Sequence, residues 1–98
     1  MAAGCHFLHV FPSFDPGGME VRASQVMDLL PAPHRHTVIA MDGRTGCAPR
    51  VRRATLALLP PPPRAGFLAT GRAMAERITE LRPDLVLTYN WGAIEAVL

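Results

Sequence analysis

Gly17 and Gly18 stand between Pro12-Ser13-Phe14-Asp15-Pro16 and a run, Met19, Ala23, Val26, Met27 and Leu30, that repeats at the period of an α-helix. The first N–H groups of a helix have no partner inside it, and the aligned peptide dipoles leave partial positive charge at that end. An anion satisfies both. Two residues without Cβ let a phosphate approach the backbone and let the turn take positive φ. On this reading Gly17, Gly18 and Met19, with the N–H of Glu20, face a phosphate. The bland alternative is a connector between a strand and a helix, since a glycine pair alone is a weak motif.

Four more residues join this candidate site. Glu20 is either a first-turn carboxylate that complements the helix dipole or a polar contact to a sugar or acceptor hydroxyl. Arg22 either reaches back to a diphosphate or points to solvent. Asn90 offers an amide that donates and accepts, and Trp91 a flat apolar face of the kind sugars stack on, or a packed residue at a helix start. Asp15 beside proline and glycine reads as a local brace of the turn. His9 reads as a core histidine, or as a base through its place near a strand end. His34 and His36 have no third ligand nearby in sequence and read as surface imidazoles; no metal is expected. Asp42 falls where nucleotide-binding folds hold a ribose, but the glycines are not G-x-G-x-x-G, so a dinucleotide is discounted. Catalytic residues are not identifiable from these residues alone.

The elements that must position them alternate. Cys5 to Phe11 is an apolar strand, the helix follows Gly18, and Pro31-Ala32-Pro33 stops it before the β-branched strand His36 to Met41. Asp42 to Arg53 is a loop whose arginines read as a solvated face or as contacts to an anionic ligand or headgroup. Thr55 to Leu59 is a third strand, Pro60 to Pro63 a stiff connector, and Phe67, Gly71, Met74, Ile78 and Leu81 mark a second helix ending at Arg82-Pro83. Asp84 to Tyr89 is a fourth strand, Asn90 to Gly92 its turn, and Ala93 to Leu98 the start of a third helix that stops without a cap, as a truncated chain would. The expected fold class is α/β: a Rossmann-like open parallel sheet with helices on both faces, incomplete. In strand order 3-2-1-4 the first and fourth strands are neighbours, and a crevice opens beyond their C-terminal ends, lined by Pro12 to Gly18 and Asn90 to Gly92.

Composition narrows the classes. Ninety-eight residues allow one small domain, and 49% hydrophobic content argues against disorder. All ten basic residues are arginine, and a net charge of +2 is too small to argue for nucleic acid. Two cysteines, Cys5 and Cys47, make neither a disulfide framework nor a metal site, and read as free thiols of a reducing compartment. With neither a secretory signal nor a stretch of about 18 apolar residues, a cytoplasmic chain with peripheral membrane contact at most is expected. Asp15, Asp42 and Asp84 do not assemble the acidic cluster of a receiver domain.

His9-Val10-Phe11 through Gly17-Gly18-Met19-Glu20, the strand His36 to Ala40, and Arg82-Pro83-Asp84-Leu85-Val86-Leu87-Thr88-Tyr89-Asn90-Trp91 resemble the N-terminal domain of GT-B type retaining glycosyltransferases (family 4-like), and within it the sugar transferases of bacterial exopolysaccharide gene clusters. The resemblance implies two Rossmann-like domains facing over a cleft, a nucleotide-diphosphate sugar as donor substrate with no cofactor or metal, and a glycan or lipid-linked acceptor. It makes residues 1–98 the N-terminal, acceptor-side part, with Gly17 and Gly18 at the donor phosphates. Most donor contacts, paired glutamates among them, belong to a C-terminal domain absent here. Some relatives carry a histidine after the fourth strand, where this chain has Tyr89-Asn90-Trp91. A non-enzymatic anion- or nucleotide-binding module is the alternative.

Overall fold

The computed structural model describes residues 4–63 and 66–89, so Asn90, Trp91 and the third helix expected from Ala93 lie outside the described residues. The elements are β1 (His6–Phe11), α1 (Gly18–Asp28), β2 (Arg35–Ala40), a single 3-10 turn at Ala48–Arg50, β3 (Thr55–Leu59), α2 (Phe67–Leu81) and β4 (Leu85–Thr88). They form one four-stranded sheet in the order β3-β2-β1-β4 with every pair parallel. This is the Rossmann-like half-sheet expected from the alternation of apolar runs and breakers. Parallel neighbours require crossover connections, and the chain supplies them on both faces.

The register fixes which side chains share a face. His9 pairs with Val38 and with Leu87, and Val10 pairs with Ile39 and Thr88. Phe11, Phe14, Ala23, Met27, Val38, Ala40 and Cys47 form the core under α1, while Leu8, Val10, Ile39 and Met74 form the core under α2. Strand alternation thus feeds two cores from one strand, Phe11 on one face and Leu8 and Val10 on the other, as expected of a strand covered on both sides. Each fully buried side chain of this size contributes about 1.5 to 3 kcal/mol against exposure.

Several expectations need correction. Val26, assigned to the buried stripe of α1, is 49% exposed, and Leu30 lies beyond the helix, which ends at Asp28. The buried face is Ala23, Ser24 and Met27 instead, with the Ser24 hydroxyl donating to the Val21 carbonyl at 2.6 Å. A hydroxyl satisfied within its own helix can be buried, which the apolar pattern alone did not foresee. α2 matches its stripe better: Met74 is fully buried, Ile78 and Leu81 pack beside it, and Arg82 caps the end with φ 49°.

Candidate functional site

In a parallel sheet all strand C-termini share one rim, and here that rim carries the start of α1. The β1–α1 loop is braced by the segment after β2 through backbone bonds: Met41 N–H to Phe11 O (2.8 Å), Asp42 N–H to Pro12 O (3.0 Å), Phe14 N–H to Arg44 O (2.9 Å) and Cys47 N–H to Phe14 O (2.7 Å). Phe14, a fully buried loop residue, anchors it on Phe11 with ring centroids 4.7 Å apart. Asp15 does not brace its own turn. Its Oδ1 accepts from Gly46 N–H at 3.1 Å and its Oδ2 lies 3.5 Å from the Arg44 guanidinium, so it ties two loops together. The local brace comes from Ser13, whose hydroxyl accepts from Asp15 N–H at 3.4 Å. Asp42 is engaged likewise, its Oδ1 accepting from Arg44 N–H at 2.8 Å.

The helix start has the geometry an anion needs and one obstacle. Its first bond runs from Val21 N–H to the Gly17 carbonyl at 2.9 Å, leaving the N–H groups of Gly18, Met19 and Glu20 outside the helical ladder, and among the described residues no side chain caps them. A Cβ at Gly18 would meet nothing within 4 Å among the described residues. Positive φ plays no part: Gly17 is extended at φ −157°, and the glycines with positive φ among the described residues are Gly43 and Gly66. The obstacle is Glu20. One of its carboxylate oxygens lies 2.5 Å from where a Cβ of Gly17 would stand, so the side chain folds back over the helix start. There its charge complements the dipole, the structural one of its two readings. Met19 packs against the α1-side core and leaves only its backbone to the rim, and Arg22 is exposed.

The fourth strand ends beside this loop. Tyr89 N–H donates to the Val10 carbonyl at 3.0 Å, and the Tyr89 ring stacks on Phe11 at 4.0 Å and 6°. This places the residue preceding Asn90 next to the end of β1. From Tyr89 a chain of polar contacts runs inward. Its hydroxyl is 2.9 Å from His9 Nδ1, His9 Nε2 is 2.9 Å from His36 Nδ1, and His36 Nε2 donates to the Leu30 carbonyl at 2.9 Å. Both imidazoles are buried, so His36 is not the surface imidazole expected. His34 accepts from Cys5 N–H at 3.1 Å and does not join His36. Burial, and then the neighbouring His36, lower the His9 pKa to about 4, so the ring is neutral at pH 7. Sequence reading missed the chain because its members lie 27 and 80 positions apart. The available signal was a histidine inside an apolar strand, which must find a partner.

Other groups offer less chemistry. Burial pushes the Cys47 thiol up, Glu20 and Asp15 adding to this against the Ser24 hydroxyl and Arg50, so no reactive thiolate forms there. Among the described residues no cluster of three metal-ligating side chains occurs, and no helix is long and apolar enough to cross a membrane. A cavity of about 430 Å³ lies at the opposite end of the sheet, between the starts of β2 and β3 and the end of α2, lined by Arg35, Thr37, Thr55 and Glu80 among others. No family model, no curated protein and no solved structure matches this chain.

Proposed function

We propose that this chain is the acceptor-side portion of a glycosyltransferase that moves a sugar from a nucleotide-diphosphate donor to a glycan or lipid-linked acceptor with retention of configuration. One observation carries the reading: the start of α1, whose first N–H groups no described side chain caps, and the end of β4 meet at one rim of a parallel sheet, the place where such sheets hold phosphorylated ligands. The motifs running from His9 to Glu20 and from Arg82 to Trp91 support the same class.

On this reading the N–H groups of Gly18, Met19 and Glu20 take the donor diphosphate and stabilise the charge that develops as it departs. Glu20 swings off the helix start when the phosphate arrives. Its carboxylate, with Asn90 and Trp91, then meets the sugar or acceptor. Holding the acceptor oxygen against the anomeric carbon needs a second domain facing this rim, so residues 1–98 by themselves transfer no sugar. The enzyme works in the cytoplasm, touching the membrane surface only where its acceptor is lipid-linked.

The test is calorimetric titration of nucleoside diphosphates and nucleotide sugars into the chain and its Gly18→Val variant. Because a Cβ at Gly18 meets no atom of the described residues within 4 Å, the substitution blocks the ligand without disturbing the fold. Binding should weaken at least about tenfold, a loss of about 1.4 kcal/mol, with the melting temperature little changed. Equal affinity in both proteins would remove the phosphate from this loop.

A further inference from the structure

The direction of every hydrogen bond in the buried Tyr89–His9–His36 chain follows from its inner end. The Leu30 carbonyl can only accept, so His36 Nε2 carries the proton. In the neutral ring His36 Nδ1 is then an acceptor, and His9 Nε2, 2.9 Å away, must donate to it. That leaves His9 Nδ1 bare, and the Tyr89 hydroxyl, 2.9 Å from it, gives its proton inward. One carbonyl in the connection after α1 thereby decides which way a hydroxyl at the end of β4 points.

We propose that this chain sets the hydrogen-bond polarity of the rim: with both imidazoles neutral, Tyr89 spends its proton on His9 and has only oxygen lone pairs left for a neighbouring group, and uptake of one proton turns it into a donor. The proton comes from solvent. Wherever it settles on the pair, His9 Nδ1 becomes an N–H, and the Tyr89 hydroxyl must then accept from it and direct its own hydrogen elsewhere. The groups facing His9 are His36 from β2 and Tyr89 after β4, with Phe7 and Phe11 of its own strand at ring distances of 6.4 Å; His36 faces the Leu30 carbonyl and stacks on Phe7 at 5.1 Å. His9 itself is neutral near pH 7, since burial makes it take up a proton only as pH falls to about 4. A ligand at the rim would meet Tyr89 as an acceptor, suited to a hydroxyl or N–H. On the glycosyltransferase reading that group is a sugar or acceptor hydroxyl, but the polarity itself does not depend on that reading.

The experiment reads the protein without ligand. The chain, labelled with ¹⁵N in histidine and ¹³C at tyrosine Cζ, is followed by NMR from pH 8 to 3.5. At pH 8, His9 and His36 should both show a protonated Nε2 and a bare Nδ1. On acidification the single tyrosine should shift once, with the same midpoint as His9. A protonated Nδ1 on His9 at pH 8, a tyrosine signal unmoved through the His9 titration, or unfolding before either ring gains a proton would each overturn the proposal.

Discussion

At the level of single residues, two side chains decide how the rim behaves. Glu20 competes with any incoming anion for the start of α1, because like charges at one helix terminus repel. Replacing it, Glu20→Gln, should tighten binding of a nucleoside diphosphate several-fold in a titration. His9 governs acid stability. The folded protein holds its pKa near 4 against an ordinary 6.5, so below pH 6.5 the unfolded chain binds the proton that the folded one refuses. Stability from this group is therefore complete above pH 6.5 and drains as pH falls towards 4, by about 3 kcal/mol in all. Urea unfolding at pH 7 and pH 4.5 should show most of that loss, and equal midpoints would mean the ring takes up a proton without penalty. Of these two residues the sequence made Glu20 legible, by its place three positions after Gly17. The role of His9 was not, since an imidazole in an apolar strand reads the same until its partner is known.

Among the elements, the joints are more telling than the helices and strands. Asp28 closes α1 and accepts from the N–H groups of Arg52 (3.0 and 3.2 Å), Arg53 (2.8 Å) and Ala54 (3.1 Å), which pins the helix end to the segment entering β3. Burial works against its charge, but the amides of Arg53, Ala54 and Arg52 and the Arg53 guanidinium outweigh it and hold the carboxyl below its usual value. A depressed carboxyl contributes stability above its unfolded pKa of 3.8 and loses it as pH drops further. Its window thus lies below that of His9. Asp28→Ala should lower the unfolding free energy at pH 7 by about 1 to 3 kcal/mol, read from urea melts, with no change in ligand affinity at the rim. The joint between the β1–α1 loop and the loop after β2 is closer packed. A Cβ at Gly46 would come within 2.7 Å of Asp15 Oδ1 and 3.3 Å of Pro16 Cδ, which explains why a glycine stands there. Neither joint was legible beforehand: Asp28 sits in the helical pattern as one more polar residue, and its partners lie 24 to 26 positions ahead. The start of α1 at Gly18, by contrast, followed from the glycine pair, and β3 fell on Thr55–Leu59 as read, although α1 stops at Asp28, short of the proline stop.

For the molecule as a whole, the strand order was the most legible feature, because apolar runs too short for helices, separated by helix-length patterns, leave a parallel sheet as the solution. What the pattern could not convey is how unequally the sheet is covered. β1 pairs on both sides and places His6, Leu8, His9, Val10 and Phe11 in buried positions, whereas β3 and β4 are edges, with Leu58 and Leu85 exposed. Opening free energies should follow that inequality, since local unfolding starts where few buried contacts hold the backbone. In amide hydrogen exchange followed by NMR, the amides of β1 and β2 that bond across their shared ladder should exchange only through global unfolding. The amides of β3 and β4 should exchange faster, by local opening. The rim divides accordingly: the β1–α1 loop hangs from the most protected strand, and Tyr89 from one of the least. If β4 proved as slow to exchange as β1, the sheet would open as one unit and Tyr89 would be held as rigidly as the glycine loop. If it is faster, a ligand bridging the two strand ends must order β4 as it binds, and nucleotide sugar added during exchange should slow the β4 amides selectively.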